Sequence, residues 1–400
     1  MKSNKYLFSA AALAAFLANA PLAAESVEVR AASSSTKTSN PFAQFAPAKD
    51  QRDHRIDYQH WDEALGFMVI PMGPSLRDAA PRVSAPTGTR IIYGHRSRYR
   101  LEGNRVAFSF LDADIRSALT EYREDLERVG TQLDLTNLPR NEQLAFWINL
   151  HNVAVIEALA YEYPLREPAE GEFGSNAAGL QDAKLVNIKG VELSPRDIRE
   201  KIVYPNWSDP RVIYAFWRGE IGGPSIQRLA FTGDNVDILL SLSAEEFVNS
   251  LRGVESYGGA LRVSRIYEEA RPFYFETDDD LKAHLSSFAR DDVKELVGET
   301  KRVAFNRYEG AIADLVNGHP DPGFSFVCST GRGLGDTTPN AYISLVTRCS
   351  DEPSKNRAAK RLMFERAQKL NKAYRRGIRT GTVIYGDGRY AEGEGPREVE

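Results

Sequence analysis

Cysteine is nearly absent, with two in 400 residues, Cys328 and Cys349, both late in the chain. A thiol nucleophile is thereby excluded everywhere before residue 328. Also missing are a Gly-x-Ser-x-Gly elbow, a zinc-binding helix and a dinucleotide-binding glycine fingerprint. The glycine-rich run Thr330-Gly-Arg-Gly-Leu-Gly-Asp336 opens no helix and lacks the Lys-Ser or Lys-Thr pair of a nucleotide loop, so it reads as a flexible loop. No cofactor is expected. Of the six histidines, His54 and His60 lie close to Asp53 and Asp57, but they share no helical face, and no metal site is expected there. Net charge is only -4, and no specific nucleic-acid partner is expected. The longest internal apolar run, 144–163, is interrupted by Asn149, His151, Asn152 and Glu157, so no transmembrane segment is expected after the N-terminus.

What is present is ordinary globular composition, 42% apolar and 26% charged, enough for one large domain or two smaller ones. Lys2 and Lys5 precede an apolar run from Leu7 to Ala23, and Leu22-Ala23-Ala24 offers small residues for cleavage before Glu25. Residues 1–24 therefore read as a signal peptide, with an uncleaved anchor as the alternative, and the mature chain is expected in the periplasm or secreted. Residues 25–57 lack periodicity and read as a flexible linker. The expected fold class is α+β: a main domain at 58–320 with a central mixed sheet and packed helices, then a strand-helix extension at 321–400. In that extension Phe324–Cys328 and Ala341–Cys349 read as strands that a Cys328–Cys349 disulfide would join, the alternative being two buried thiols.

Within the main domain, Trp61, Leu65, Phe67, Met68, Val69 and Ile70 form a first apolar cluster. Arg90–Tyr93 and Arg105–Phe110 read as strands flanking a basic hairpin or surface loop, Gly94–Gly103, in which His95 sits among Arg96, Arg98 and Arg100. A helix from about Asp112 to Val129 stops at Gly130. A hairpin turns at Lys189-Gly190, and Ser194 with Asp197 caps a short helix through Ile202. Arg211–Trp217 and Arg271–Thr277 read as strands; Ser243-Ala-Glu-Glu246 reads as the capping box of a helix ending at Gly253. Asp278–Phe288 and Asp291–Val297 read as helices. Between Lys355 and Arg379 ten Lys or Arg face Glu365 alone, on a helical pattern with Met363, Ala367, Leu370 and Tyr374 as its apolar stripe. Such a helix packs on the protein's own surface or docks on anionic envelope polymers.

The segment Asn141-Glu-Gln-Leu-Ala-Phe-Trp-Ile-Asn-Leu-His-Asn152 is unusual because polar groups interrupt an apolar helix bounded by Pro139 and Pro164. At 100° per residue, Glu142, Asn149 and Val153 fall within about 20° of one another, with Asn152 about 80° away and His151 opposite. A ridge of this kind either fixes neighbouring loops by hydrogen bonds or forms one wall of a site. Its natural partner is the loop Arg218–Ser225, where Arg218 and Glu220 bring charge and three glycines allow close approach. The candidate ligand site is therefore Glu142, Asn149, Asn152, Arg218 and Glu220. Arg218 would act there as an anion receptor, or as an internal ion pair to Glu142 or Glu220.

These residues carry a resemblance. Glu142-Gln143, Ala145-Phe146-Trp147-Ile148-Asn149 and Asn152, followed by Asp209-Pro-Arg-Val212, Gly219 and Pro224, resemble the domain of unknown function 547 family over about residues 111–251. The family pattern has Tyr where His151 stands, His at Ile213, and Cys at Arg218 and Gly223. The resemblance implies a shared fold, and a chemistry that cannot run on the missing His and Cys positions. The expected function is an exported envelope protein acting as a binding or interaction module for a small molecule or envelope component. The alternatives are a hydrolase or transferase using carboxylate and Arg chemistry at the Glu142/Arg218 cleft, and polymer binding through the basic C-terminal helix.

Overall fold

A computed structural model describes residues 40–48, 53–84, 92, 94–318 and 357–378. The expected signal peptide, both cysteines with their strands, the glycine-rich loop at 330–336 and Arg90–Tyr93 (but for Ile92) lie outside the described residues.

Helix α3, Arg140–Glu162, is the centre of the core. Its apolar residues are spread round the whole circumference, so it has no wet face, and every residue from Glu142 to Glu157 is buried. Such a helix cannot be satisfied by one neighbour. On one side lies α2, Ala113–Gln132, opened by Asp112, whose side chain accepts from the Ile115 N–H. The stop expected at Gly130 does not occur, and α2 runs to Gln132. A Cβ at Gly130 would come within 2.8 Å of both Ile188 and Phe146, so glycine serves close packing here rather than termination. Trp147 packs edge-on against Phe45 and Phe146, at 5.3 and 5.2 Å between ring centroids.

The hairpin β3 (Val186–Ile188) and β4 (Val191–Leu193) turns at Lys189 and Gly190, both at positive φ as a tight hairpin demands. Ser194 and Asp197 then form the expected capping box, but the helix outlasts Ile202. It continues from α4 (Pro195–Asp197) through a π-helical stretch, Ile198–Val203, to α5 (Tyr204–Asn206). The apolar run expected as a strand at Arg211–Trp217 is instead a 3-10 helix, Pro210–Tyr214, followed by extended chain. Pro210 and the Asp209 side chain, which accepts from Arg211 N–H at 2.9 Å, favour the tight turn. The run is apolar because it is enclosed, and a short enclosed run carries no period with which to tell strand from helix.

Three further expectations fail for local reasons. Ser243 begins no helix: it lies inside α6 (Val236–Val248), its hydroxyl donating to the Leu239 carbonyl at 2.7 Å. Arg271–Thr277 begins inside α7 (Arg265–Tyr274), capped by Ser264, with Pro272 tolerated near the C-terminal end. Strand β1 (Val69–Ile70) pairs with β2 (Arg105–Val106), and the chain then coils into a 3-10 turn, Phe108–Phe110, rather than extending as a strand to Phe110. The remaining sheet is mixed: β5 (Val254–Tyr257) runs antiparallel to β6 (Ala260–Ser264), which runs parallel to β7 (Arg302–Arg307). Helices α8 (Asp278–Phe288) and α9 (Asp291–Glu299) lie between, as expected. The fold is α+β.

The basic segment at 94–103 is not a solvated turn. His95 is buried with Nε2 2.6 Å from the Asp314 carbonyl, and burial drives its pKa down to about 3, so the ring is neutral. Arg100 forks onto Glu365 of α10 (Arg357–Arg375) at 2.7 and 2.9 Å. The buried face of α10 is Ala358, Ala359, Leu362, Arg366, Lys369, Leu370 and Ala373; of the expected stripe Leu370 is buried, Met363 and Ala367 are half-buried, and Tyr374 is exposed. Lys369 is unusual in that three backbone carbonyls, those of Met72, Gly73 and Leu101, receive its ammonium. Burial lowers its pKa to about 8.

Because α3 is enclosed, Trp147→Ala is expected to cost about 3–5 kcal/mol in urea unfolding, whereas Ile238→Ser on the exposed side of α6 should stay within about 0.5 kcal/mol. Equal costs at the two positions would contradict α3 as the centre of the core.

Candidate functional site

Two carboxamides of α3, those of Asn149 and Asn152, each clamp one passing segment of backbone at two points. Asn149 donates Nδ2 to the Phe231 carbonyl at 2.7 Å, while its Oδ1 accepts from the Phe231 N–H at 3.1 Å. Asn152 does the same to the loop after the 3-10 helix, with Nδ2 to the Ala215 carbonyl and Trp217 N–H to Oδ1, both at 3.0 Å. These loop segments have no sheet neighbour at those groups, so the side chains replace a ladder. Glu142 works similarly at the N-terminal end, where its Oε1 accepts from the Gly233 N–H at 3.1 Å. Burial raises its pKa against the opposing pull of backbone N–H groups from Gly233 and Ile56. Gly233 permits this approach, since a Cβ there would lie 2.4 Å from that oxygen.

The ridge is therefore divided. Glu142 and Asn149 serve the loop at 231–233, whereas Asn152 serves the loop at 215–218, and no hydrogen bond or ion pair joins Glu142 to Arg218. Around Asn152 a second network forms. His151 places Nδ1 3.0 Å from Asn152 Oδ1, and its Nε2 lies 3.0 Å from a guanidinium nitrogen of Arg199. Arginine can only donate, so Nε2 must be bare and the proton must sit on Nδ1. The imidazole is neutral, held far below its usual pKa by burial and then by Arg199.

Arg199 and Arg218 converge on one carboxylate, Glu269 of α7. Arg218 binds both oxygens of Glu269 at 2.7 Å, and Arg199 reaches them at 2.9 and 3.3 Å. Arg199 also donates to Gln181 Oε1 at 2.9 Å, and Gln181 returns a bond to the Arg218 carbonyl at 3.2 Å. Although burial opposes it, the two guanidinium groups hold the Glu269 carboxyl well below the carboxylate range. Arg218 is thus an internal ion pair, but its partner is neither Glu142 nor Glu220. Glu220 turns instead to Tyr308, whose hydroxyl donates to Oε2 at 2.5 Å; burial pushes its pKa up to about 7. A carboxyl that exchanges its proton near neutrality beside a phenol can serve as general acid or base.

Glu269, Arg199, Gln181 and Tyr308 were not expected in this cluster. A helical reading of 265–274 would set Glu269 about 60° from Ile266 and 100° from Ala270, at the edge of the buried arc. Among the described residues no group of acidic, His or Cys side chains could hold a metal ion. A concave feature with room for a ligand lies away from this network: a groove of about 740 Å³ between α1 (Gln59–Met68) and α2, walled by Trp61, Phe67, Ile115, Leu119 and Tyr122 and rimmed by Glu121, Glu124 and Asp125.

Residues 135–248 match the family model described as protein of unknown function, DUF547. No curated protein and no solved structure matches the chain. The matched segment contains Arg199, Arg218 and Glu220, whereas Glu269 and Tyr308, which hold two of them, lie beyond it.

Glu269→Gln is expected to cost about 3–5 kcal/mol in urea unfolding at pH 7, since two buried guanidinium groups lose their counter-charge. Glu220→Gln should behave oppositely and depend on pH. Folded Glu220 keeps its proton up to about pH 7, while the unfolded chain releases it near 4.5, so stability falls as pH rises through that window. The Gln variant should be more stable than the parent at pH 8 and little changed at pH 5; a difference that ignores pH would refute the assignment.

Proposed function

We propose that this chain is an exported interaction module of the cell envelope, recognising a small molecule or an envelope component, with the DUF547-like segment as its rigid frame. The observation that carries the reading is what stands where the family pattern has Cys and His. Where the family pattern has Cys, Arg218 is forked onto Glu269 and almost enclosed. Where it has His, Ile213 has 0% exposure inside the apolar core. A buried Arg–Glu–Arg cluster would cost several kcal/mol to open, so a substrate would have to displace strong internal partners before touching these groups. Export rests on the basic-then-apolar N-terminus and its small-residue boundary at Ala24.

A second reading keeps chemistry through Glu220. Its support is the carboxyl itself, which gains and loses a proton near neutral pH beside Tyr308. In that case the reactive centre is a hydrolase- or transferase-type acid–base pair at Glu220, and Glu142 takes no part because it serves the loop at 231–233.

One pair of measurements separates the two and tests export. Fractionation of expressing cells, with N-terminal sequencing, should recover a chain beginning near Glu25 outside the cytoplasm; a chain retained whole in the cytoplasm would overturn export. Assays of the purified chain against ester, amide and glycosidic probes should show no turnover that Glu220→Gln abolishes. Turnover lost in that variant, with its fold intact, would replace the interaction reading by the catalytic one.

A further inference from the structure

We propose that copies of this chain associate head to tail, with the outer face of α10 from one copy seated in the α1–α2 groove of the next. The proposal rests on the interaction-module reading and names the partner as a second copy.

In the groove α1 and α2 are bridged by the stack of Trp61 on Tyr122, with ring centroids 5.7 Å apart. Its floor is apolar, and Phe67 stands 48% exposed at its edge. The rim is acidic. Glu121, Glu124 and Asp125 line it, with Arg128 paired to Asp125 and Arg123 3.5 Å from Glu124. A groove with this lining takes an amphipathic helix that brings an aromatic anchor flanked by positive charge.

Helix α10 presents that combination. With 100° per residue, Lys360, Phe364, Gln368, Asn371 and Arg375 lie within about 40° of one line, directly opposite its buried stripe. Phe364 is 63% exposed at the centre of the line, and Tyr374 is 60% exposed at its border. Among the described residues Lys360 and Arg375 have no carboxylate partner, and Lys372 and Arg376 share Asp78. Lengths agree as well: from Lys360 to Arg375 the helix spans about 22 Å, and the α2 wall from Ile115 to Arg128 about 20 Å. The inner face of α10 is held by Glu365 on Arg100 and by Lys369 on three carbonyls, so the outer face is offered on a fixed helix. Because groove and helix are different surfaces, the contact is heterologous and grows into rings or open chains instead of closing as a two-fold dimer.

Sedimentation of the full mature chain tests this. Mass should rise with protein concentration and fall with added salt. The groove variant Glu121→Lys/Glu124→Lys and the helix variant Lys360→Glu/Phe364→Ser/Arg375→Glu should each weaken self-association by more than about tenfold. Each retains one good surface, so mixing them should yield one-to-one dimers that grow no further. A parent chain monomeric up to about 1 mM, or association that survives in both variants, overturns the proposal. If the monomeric parent instead binds a synthetic basic amphipathic helix in the groove, the self-partner falls and the interaction-module reading stands. If the outer face of α10 binds phosphatidylglycerol vesicles while copies ignore one another, self-association is likewise overturned. Failure of the interaction reading itself would show separately, as turnover that Glu220→Gln abolishes.

Discussion

Enclosing α3 on every side obliges each of its polar side chains to find a partner within the protein. A buried amide left without one costs about 1–3 kcal/mol, and the helix carries Glu142, Gln143, Asn149, His151 and Asn152, all buried. His151 meets the side chains of Asn152 and Arg199, and the others find backbone groups of segments that belong to no sheet: Gly233, Leu138, Phe231, Ala215 and Trp217. Irregular chain is thereby held as firmly as a strand would be, without strand geometry. The position of the 215–218 segment, and with it the side chain of Arg218, follows from the two bonds of Asn152.

From that point a hydrogen-bonded network leaves the segment at Trp217 and returns to it at Arg218. Trp217 and His151 both donate to Asn152, Arg199 donates to His151, and Glu269 gathers Arg199 and Arg218. Replacing one link leaves a buried charge or donor without its match, so the network behaves as a unit. This arrangement explains how a segment whose family pattern has His and Cys at these positions can tolerate Ile213 and Arg218. Here those positions are taken up by apolar packing and by an ion-pair cluster whose carboxylate comes from α7, outside the matched segment. Glu220 stands beside the cluster without an ion pair to it, and burial outweighs the opposing pull of the Tyr308 hydrogen bond and of Arg218 and Arg199, so its pKa is raised.

The cationic C-terminal helix illustrates the same economy of partners. Its inner positions Arg366 and Lys369 would be poor choices for a buried stripe on hydropathy alone. They are accommodated because the turns at 71–73 and 101 expose carbonyls that no secondary structure uses. Long side chains carry the charge past the apolar contacts of Leu362 and Ala359 to those oxygens.

Patterns that depend on neighbours in sequence were legible. The sequence alone determined α3 with its proline boundaries, the Lys189-Gly190 hairpin, the capping box at Ser194 and Asp197, and the helices after Thr277, since caps, turns and breakers act within four residues. It also determined that no cysteine serves the family-like segment, and the family resemblance itself. What tertiary structure decided were the elements whose residues look alike in any buried setting. The 3-10 turn at Pro210–Tyr214, the length of α6 and the run of α7 through Pro272 follow from which side is covered, a property a short apolar run does not encode. The candidate residues divided the same way. Asn149 and Asn152 were recognisable because an amide in an apolar helix demands a partner, but the separation of Glu142 from Arg218 and the meeting of Arg218 with Glu269, 51 positions later, depend on how distant helices pack.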